Sequence, residues 1–391
     1  DYSPKRQKGD FKMKKTLLII GAGREQITAY QLAKKMGLFV VGTDRNPKSP
    51  AFKFADKKLI CSTRDAKHTL ETVLEFSKKN IWVLTDGSQG MISQVLGLAQ
   101  QFSSNITKIN TKILFPWSKL QPGFLPIFSW IFFNKLDFSS SPDMVISCGR
   151  KSVYLSIFLK KKFKNLISIH IQNPKINFRS FDYIIAPNHD GIKGDNVISS
   201  IGALHKFTHS IIHNEIDSKF KLPTKKLISV IVGGDNHHYQ FSDNETNSLI
   251  KKIKHIKKIN PEYQLLIISS RRTKKEINRM LEKNLKDIAF IWNNNDKNPY
   301  TFALKNSDFF IVTSDSTSMI SECAVTGKPI FVFYLPFKRN SKRIENFHQE
   351  FTELNITKQL LDNSELKNWN YNPLNEAERI ASIVKKRIIK D

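Results

Sequence analysis

Short runs of apolar, β-branched residues alternate with longer amphipathic stretches along most of this 391-residue chain. From Lys14 the rhythm is a strand (TLLIIGAG), a helix (Glu25 to Met36), a strand (LFVVGTD), a turn (Arg45 to Pro50), a short strand (KKLICST) and a helix (His68 to Lys78). That is one wound βαβ unit and a little more. The pattern restarts at Ile81 with strand IWVLTDG and the helical QGMISQVLGLAQQF. A strand near TKILFPW follows, then an aromatic interruption, strand DMVISCG, a helix from Arg150 to Lys162, strands LISIHIQ and DYIIAP, and NVISSIGALH. After a linker around Ser218 to Thr224, strands LISVIVGG, QLLIISS, IAFIW, FFIVT and PIFVFY are separated by helices near Asn244 to Ile256, Lys274 to Glu282, Tyr300 to Asn306 and Ser316 to Thr326. Short buried strands alternating with helices predict an α/β fold with parallel sheets covered on both faces. The expected division is an extension (1–13), a small βαβ unit (14–80), and two further domains (81–217 and 218–391).

Composition changes this picture in one respect. Lys and Arg number 62 against 35 Asp and Glu, a formal net charge of +27, and such a field attracts polyanions. A solvated lysine-rich surface, an anionic membrane surface and nucleic acid are the three readings. The last is disfavoured, since the chain has no arginine-rich tail, zinc-ligand spacing or aromatic nucleic-acid signature. Cys61, Cys148 and Cys323 are isolated in sequence, which suits free thiols in a reducing compartment and points to the cytoplasm. No apolar run approaches the roughly 18 residues of a spanning helix. Met13-Lys-Lys running straight into a strand reads as a start without a cleavable signal.

The sharpest chemistry lies in VTSDSTSMISECAVTGKPIFVF, Val312 to Phe333. Ligands of open parallel sheets sit beyond strand carboxyl ends, where loops feed helix N-termini. Ser314, Asp315, Ser316, Thr317, Ser318 and Met319 stand there, suited to capping a helix whose first amides face outward toward a diphosphate. Asp315 would repel phosphate and is expected as the N-cap. Glu322, about two turns on, can reach ribose hydroxyls. Gly327-Lys328-Pro329 ends the helix. A capped helix without ligand is the plainer alternative.

Two more strand ends support the functional reading. Ser270, Arg271, Arg272 and Thr273 place two guanidinium groups for phosphate contact. Gly233 and Gly234 would let backbone approach a ligand. In WNNNDKNPY, Trp292 to Tyr300, the residues Asn298 and Tyr300 are placed to contact a base. His170 lies inside a strand and reads as a core residue. His237 and His238 lack a third ligand at metal spacing, so no metal is expected.

These motifs, with WVLTDGSQGMISQVLGLA, ISCGRKS, HIQNPK, FDYIIAPNHD, NVISSIGALH, ISSRRT and NPLNEAERIA, resemble the mitochondrial fission "elongated mitochondria" family from about Ile81 to the end. The resemblance implies a GT-B-like arrangement, two Rossmann-like domains facing a cleft, with a nucleotide-sugar domain on the C-terminal side. Its N-terminal loops offer Asp86, Gly87, Gln89, Gly149, Arg150 and Gln172 on an acceptor side, and His189 or Asp190 as general base. A structural loop histidine and a capping aspartate are the alternatives for that pair. Where such loops often carry a His, this chain has Met91. Residues 14–80 resemble the lead domain of ATP-grasp enzymes, but Gln26 replaces the third glycine of a dinucleotide fingerprint. A structural or regulatory fragment is expected there, with a vestigial nucleotide site at Gly21, Gly23 and Asp44 as the lesser option.

The functional expectation is a metal-independent glycosyltransferase using a nucleoside-diphosphate sugar as donor substrate and no further cofactor. It would be cytoplasmic, with peripheral attachment to the cytoplasmic membrane face as an option. The competing expectation is a non-catalytic scaffold that recruits protein partners to a membrane. The aromatic interruption FPWSKLQPGFLPIFSWIFFNK bears on both: Trp117, Phe124 and Trp130 could dip into an anionic lipid interface, or pack into a core.

Overall fold

The computed structural model describes residues 16–69, 72–73, 79–120, 123–124, 127–132, 141–213, 226–292 and 297–390. Two compact units divide the chain, residues up to 75 and residues from 76 onward. In the first, β1 (Thr16–Ile20), β2 (Phe39–Asp44) and β3 (Lys57–Ile60) form a parallel sheet in that order, with helix α1 (Ile27–Lys35) between β1 and β2. Tyr30, Ala33, Val40, Ala51 and Phe52 make its small core. Asp56 ties it together, meeting Lys34 Nζ at 2.5 Å and accepting the Val40 amide at 2.7 Å. A buried carboxylate is tolerable only when so partnered. The helix expected over His68 to Lys78 falls in part on residues 70, 71 and 74–78, outside the described residues.

The second unit holds two six-stranded sheets, parallel throughout. The first contains β4 (Ile81–Thr85), β5 (Ile106–Asn110), β6 (Met144–Cys148), β7 (Ile167–Ile171), β8 (Tyr183–Pro187) and β9 (Val197–Ser200), in the order β5-β4-β6-β7-β8-β9. The second contains β10 (Leu227–Val232), β11 (Gln264–Ser269), β12 (Phe290–Trp292), β13 (Phe309–Thr313), β14 (Ile330–Phe333) and β15 (Thr357–Gln359), in the order β12-β11-β10-β13-β14-β15. Both are doubly wound, so each has a switch point where the strand order reverses: between β4 and β6, and between β10 and β13. The central strands are wholly buried, as runs such as ISVIV and FFIVT require. These are the two Rossmann-like domains expected, preceded by the small wound unit.

Helices α2 (Gln89–Ala99) and α3 (Arg150–Lys162) follow β4 and β6; α4 (His209–His213) lies beyond β9. In the second domain α5 (Asp243–Ile259), α6 (Lys275–Leu285), α7 (Tyr300–Asn306), α8 (Thr317–Ala324) and α9 (Lys342–Glu353) connect the strands. Helix α5 opens with a complete capping box, Ser242 and Glu245.

Several elements differ from the sequence reading. The strand placed near TKILFPW is instead β5, just upstream. Thr111 to Trp117 makes only an isolated bridge, Ile113 to Phe132, because Pro116 has no amide to donate. Helix α9, strand β15 and the last helix, α10 (Glu376–Lys390), were not anticipated as elements. The expected linker and domain boundary fall within residues 214–225, outside the described residues.

Helix α10 packs on the first domain although it ends the chain. Ile380, Ala381 and Val384 share one core with Ile81, Val95, Leu98 and Ile146. Lys385 Nζ donates to the Gln101 carbonyl at 2.9 Å, and Glu376 accepts the Ile201 amide at 2.8 Å. The segment leaving β9 is a second join. The Ala203 amide donates to Ser321 Oγ of α8 at 3.0 Å, and the Lys206 amide to Ser93 Oγ of α2 at 3.2 Å. The fit is tight at Gly97, where a Cβ would lie 2.2 Å from the His205 carbonyl oxygen. Gly97→Ala should therefore destabilise the protein by about 1–3 kcal/mol, read as a lowered urea midpoint at unchanged m-value.

Candidate functional site

Three strand ends meet at the switch point of the second domain, and Asp315 holds them together. Its carboxylate accepts the Gly234 amide at 3.1 Å, the Thr313 hydroxyl at 2.6 Å and the Arg272 guanidinium at 2.7 Å. Its backbone carbonyl accepts from Asn236 Nδ2 at 2.9 Å. The side chain of Asp315 is fully shielded whereas that of Arg272 is 40% exposed. Burial pushes the Asp315 carboxyl pKa up, and Arg272 opposes that shift. Asp315 is thus not the expected N-cap. Ser316 caps α8, its hydroxyl accepting the Met319 amide at 3.4 Å.

The same geometry corrects other expectations. A Cβ on Gly233 would fall 2.1 Å from the Asp315 carboxylate, and one on Gly234 the same distance from the Arg272 carbonyl. The pair is small so that the loops can approach each other. Ser314 is buried, its hydroxyl accepting the Leu335 amide at 3.0 Å. Ser270 and Thr273 brace the β11 loop, Thr273 donating to the Gly233 carbonyl at 2.5 Å. Arg272 is committed to Asp315, and Arg271 is exposed on the same loop. Thr317, Ser318 and Met319 are partly exposed at the N-terminus of α8. Asn298 Oδ1 accepts the Tyr300 amide at 2.9 Å ahead of α7; residues 293–296 of the proposed base-contacting segment lie outside the described residues.

Glu322 is only partly exposed. Its carboxylate accepts the Tyr300 hydroxyl at 2.7 Å, is bonded by Ser93 of α2, and feels the Lys206 ammonium. Burial raises its pKa to about 7, against the opposing pull of Tyr300, Lys206 and Ser93. Burial, with Glu322 beside it, lifts Tyr300 well above the usual phenol value. Ser93 and Lys206 were not anticipated, being separated from Glu322 by more than a hundred residues in the chain. Only the α2–α8 contact reveals them; a Cβ on Gly90 would stand 3.9 Å from Ser318 Oγ.

In the first domain Gly87, Gly149 and Gln172 close β4, β6 and β7 at φ of 92°, 90° and 81°. Asp86 Oδ1 accepts the Ser88 amide at 3.0 Å, and Gln89 and Arg150 are exposed at the first turns of α2 and α3. Gln172 reaches Gln94 Oε1 at 3.5 Å. Met91 packs over Gly149, where a Cβ would lie 2.4 Å from its sulfur. That position is apolar packing. His189 and Asp190 sit in a 3₁₀ turn packed on α9 of the second domain. Asp190 is ion-paired to Arg343 and its side chain is 6% exposed. His189 is buried edge-on to Phe347, and burial, with Arg343 nearby, lowers its pKa to about 4. The two are an interdomain contact, so the structure does not place them as an acceptor-facing base. His348, bonded to the Ser314 carbonyl at 3.1 Å, is likewise buried and neutral, with burial lowering its pKa to about 4.

His170 is buried and bonded to Ser147, in keeping with a core role. In the small unit Asp44 accepts the Ala22 and Asn46 amides, and the Gln26 side chain lies 3.6 Å from a Cβ on Gly21 and 2.9 Å from one on Gly23. Gln26 thus packs against the Gly21–Gly23 turn. Among the described residues no group of three His, Cys, Asp or Glu side chains is placed to hold a metal.

Two doubly wound parallel-sheet domains, each with its own switch point, define a GT-B-like architecture. The chain belongs to the mitochondrial fission ELM1 family, whose model matches residues 89–388. The PylC-like N-terminal domain model matches residues 17–113, running on through β4 and β5 into the ground of the first match. An uncharacterised Rickettsia prowazekii protein, RP120, is 30% identical over 78% of this chain and 98% of its own length. The Arabidopsis thaliana mitochondrial fission protein ELM1 is 24% identical over 63% of this chain and 64% of its own. Among solved structures, the Methanocaldococcus jannaschii UDP-GlcNAc 2-epimerase in complex with UDP-GlcNAc and UDP matches at 14% identity and TM-score 0.43, covering 78% of this chain and 99% of that one. Acinetobacter baumannii MurG matches at 10% identity and TM-score 0.35, covering 96% and 91%. At such scores these likenesses add nothing to the topology itself.

Asp315→Asn should lower stability by about 1–3 kcal/mol, because it weakens a buried charge-assisted network while leaving Arg272 half in water; a urea titration measures it. Glu322→Gln tests the interdomain carboxyl. Since the folded-state pKa lies above that of an unfolded chain, the protonated group favours folding at acid pH and that gain is lost as pH rises through about 7. The Tm of Glu322→Gln relative to the parent should therefore climb by several degrees between pH 5 and pH 8.

Proposed function

We propose that the protein binds a nucleoside-diphosphate sugar beside the N-terminus of α8 and transfers the sugar to an acceptor. The observation that carries this reading is the open first turn of α8, with Thr317 and Ser318 half-exposed and Arg271 exposed on the neighbouring loop. Amides at a helix N-terminus together with a guanidinium would stabilise a leaving diphosphate without a metal. The Asp315 knot would hold these donors in place before any ligand arrives, which is where such electrostatic help is worth most.

Transfer would depend on leaving-group stabilisation, since Asp190, His189 and Met91 are all engaged in packing or pairing. That same lack of a free base at the expected positions favours a second reading, a GT-B-like scaffold that binds without chemistry.

Calorimetric titration with a panel of nucleoside diphosphates and their sugars, UDP-GlcNAc among them, separates the readings when paired with an assay for released diphosphate. Thr317→Pro is the informative variant. Proline is accepted at the first helical position and removes one outward amide without breaking the helix. Thr317→Pro and Arg271→Ala should each weaken diphosphate binding about tenfold. Saturable binding with slow release of diphosphate supports a transferase, binding without release supports a scaffold that still holds the nucleotide, and no binding to any member of the panel refutes the transferase reading and leaves the scaffold that recruits protein partners.

A further inference from the structure

A transferase needs a group to take the proton of its acceptor, and the residues expected to supply one are engaged elsewhere. The loops that follow β10, β11, β13 and β14 border the proposed diphosphate site, and their acids and histidines are Asp235, His237, His238 and Asp315. Three of these are committed. Asp315 is locked in its knot with Arg272. Asp235 accepts the Phe241 amide at 2.6 Å and pairs with Lys274 at 2.8 Å. His237 Nε2 lies 2.9 Å from the Arg339 guanidinium, which can only donate, so this nitrogen accepts.

His238 is held differently. Its Nδ1 lies 3.2 Å from the Arg339 carbonyl oxygen. A carbonyl can only accept, so the neutral ring carries its proton on Nδ1 and presents a lone pair on Nε2. That nitrogen has no partner among the described residues, and the residue is partly exposed. The backbone under the ring is fixed from both sides. The His238 amide donates to Asn236 Oδ1 at 2.7 Å, and its carbonyl accepts the Lys338 and Arg339 amides at 2.8 and 3.1 Å. Tyr239 stacks on Phe337 at 4.6 Å. Residues on either side of His238 also reach the strand end that leads into α8. Asn236 donates to the Asp315 carbonyl, and Tyr239 bonds His348, which in turn bonds the Ser314 carbonyl. Because β13 lies between β10 and β14 in the sheet, the clasp of their two loops stands beside the first turn of α8. An orienting acceptor on one ring nitrogen and a bare lone pair on the other is the arrangement a general base requires.

We infer that His238 is the general base of the transfer, an inference that rests on the proposed function. The acceptor oxygen bonds to the anomeric carbon as the bond from that carbon to the diphosphate breaks. The acceptor proton passes to His238 Nε2, and the bonding pair leaves with the diphosphate, toward Arg271 and the first amides of α8. The charged groups around the ring are Lys338 and Arg339 on the β14 loop and, on its own loop, Asp235 with its partner Lys274; the His237 ring lies 5.0 Å away.

The test is release of diphosphate from the nucleotide-sugar panel, water serving as acceptor, followed with pH for the parent, His238→Gln and His238→Ala. The parent rate should fall on the acid side, because a protonated ring has no lone pair to offer. His238→Gln should release diphosphate about 100-fold more slowly and without that acid limb, while its calorimetric affinity for UDP and its thermal midpoint stay those of the parent. Added imidazole should restore part of the rate to His238→Ala and none to Arg271→Ala. Release by His238→Gln that matches the parent at every pH overturns the inference and leaves the transferase reading standing. So does a loss of UDP affinity as large as the loss of rate, since the ring would then serve binding. A parent that binds UDP yet releases diphosphate from no member of the panel overturns the transferase reading, and the role of His238 with it.

Discussion

The C-terminal domain is organised around one buried carboxylate. Asp315 is the point at which the ends of β10, β11 and β13 are tied, through the Gly234 amide, Arg272 and Thr313. An anion shielded from water persists only where donors converge on it, and here the donors come from every loop bordering the switch point. The crevice therefore has its shape before anything binds. Gly233 and Gly234 belong to the same constraint, because any side chain there would displace the carboxylate or the Arg272 backbone. What is left outside the knot is the first turn of α8 and Arg271, the part on which the proposed function rests.

Much of this fold was legible in the sequence, because buried parallel strands announce themselves as short β-branched runs and the intervening helices by their period. The misses have physical causes. Strand β5 reads ITKIN, and as an edge strand it tolerates polar residues that mask the signal. Helix α9 does carry an apolar stripe at Ile344, Phe347, His348 and Phe351, and α10 one at Ala377, Ile380, Ala381 and Val384. Their spacing is helical, but the lysine and glutamate between them lower the contrast.

The site was legible as a place more than as an arrangement. The loops at 233–234, 270–273 and 314–319 do converge, as strand-end reasoning requires. Their division of labour was hidden. Whether a serine caps, braces or faces solvent depends on partners distant in the chain, as Ser314 does on Leu335 and Thr273 on Gly233. Asp315 does turn inward, as the argument from phosphate repulsion expected, but onto Arg272 and not into the helix. The reason it can turn inward is Arg272, and that pairing removes one of the two arginines assigned to phosphate.

The joins between the two domains limit how they can move. The segment after β9 is held to α2 and α8, α10 is sewn to the first sheet, and the turn at 188–190 is paired to α9 through Arg343 and Glu350. Between these joins runs the polar seam of α2 and α8, bridged by Ser93 and Glu322. Glu322 sits in that seam with Ser93 on one side and Tyr300 on the other. Separating α2 from α8 would hydrate the carboxyl and lower its pKa toward the ordinary range, so opening releases a proton near neutral pH. By linkage, the open form gains on the closed one as pH rises, a coupling that arises from the burial of one carboxyl between two domains.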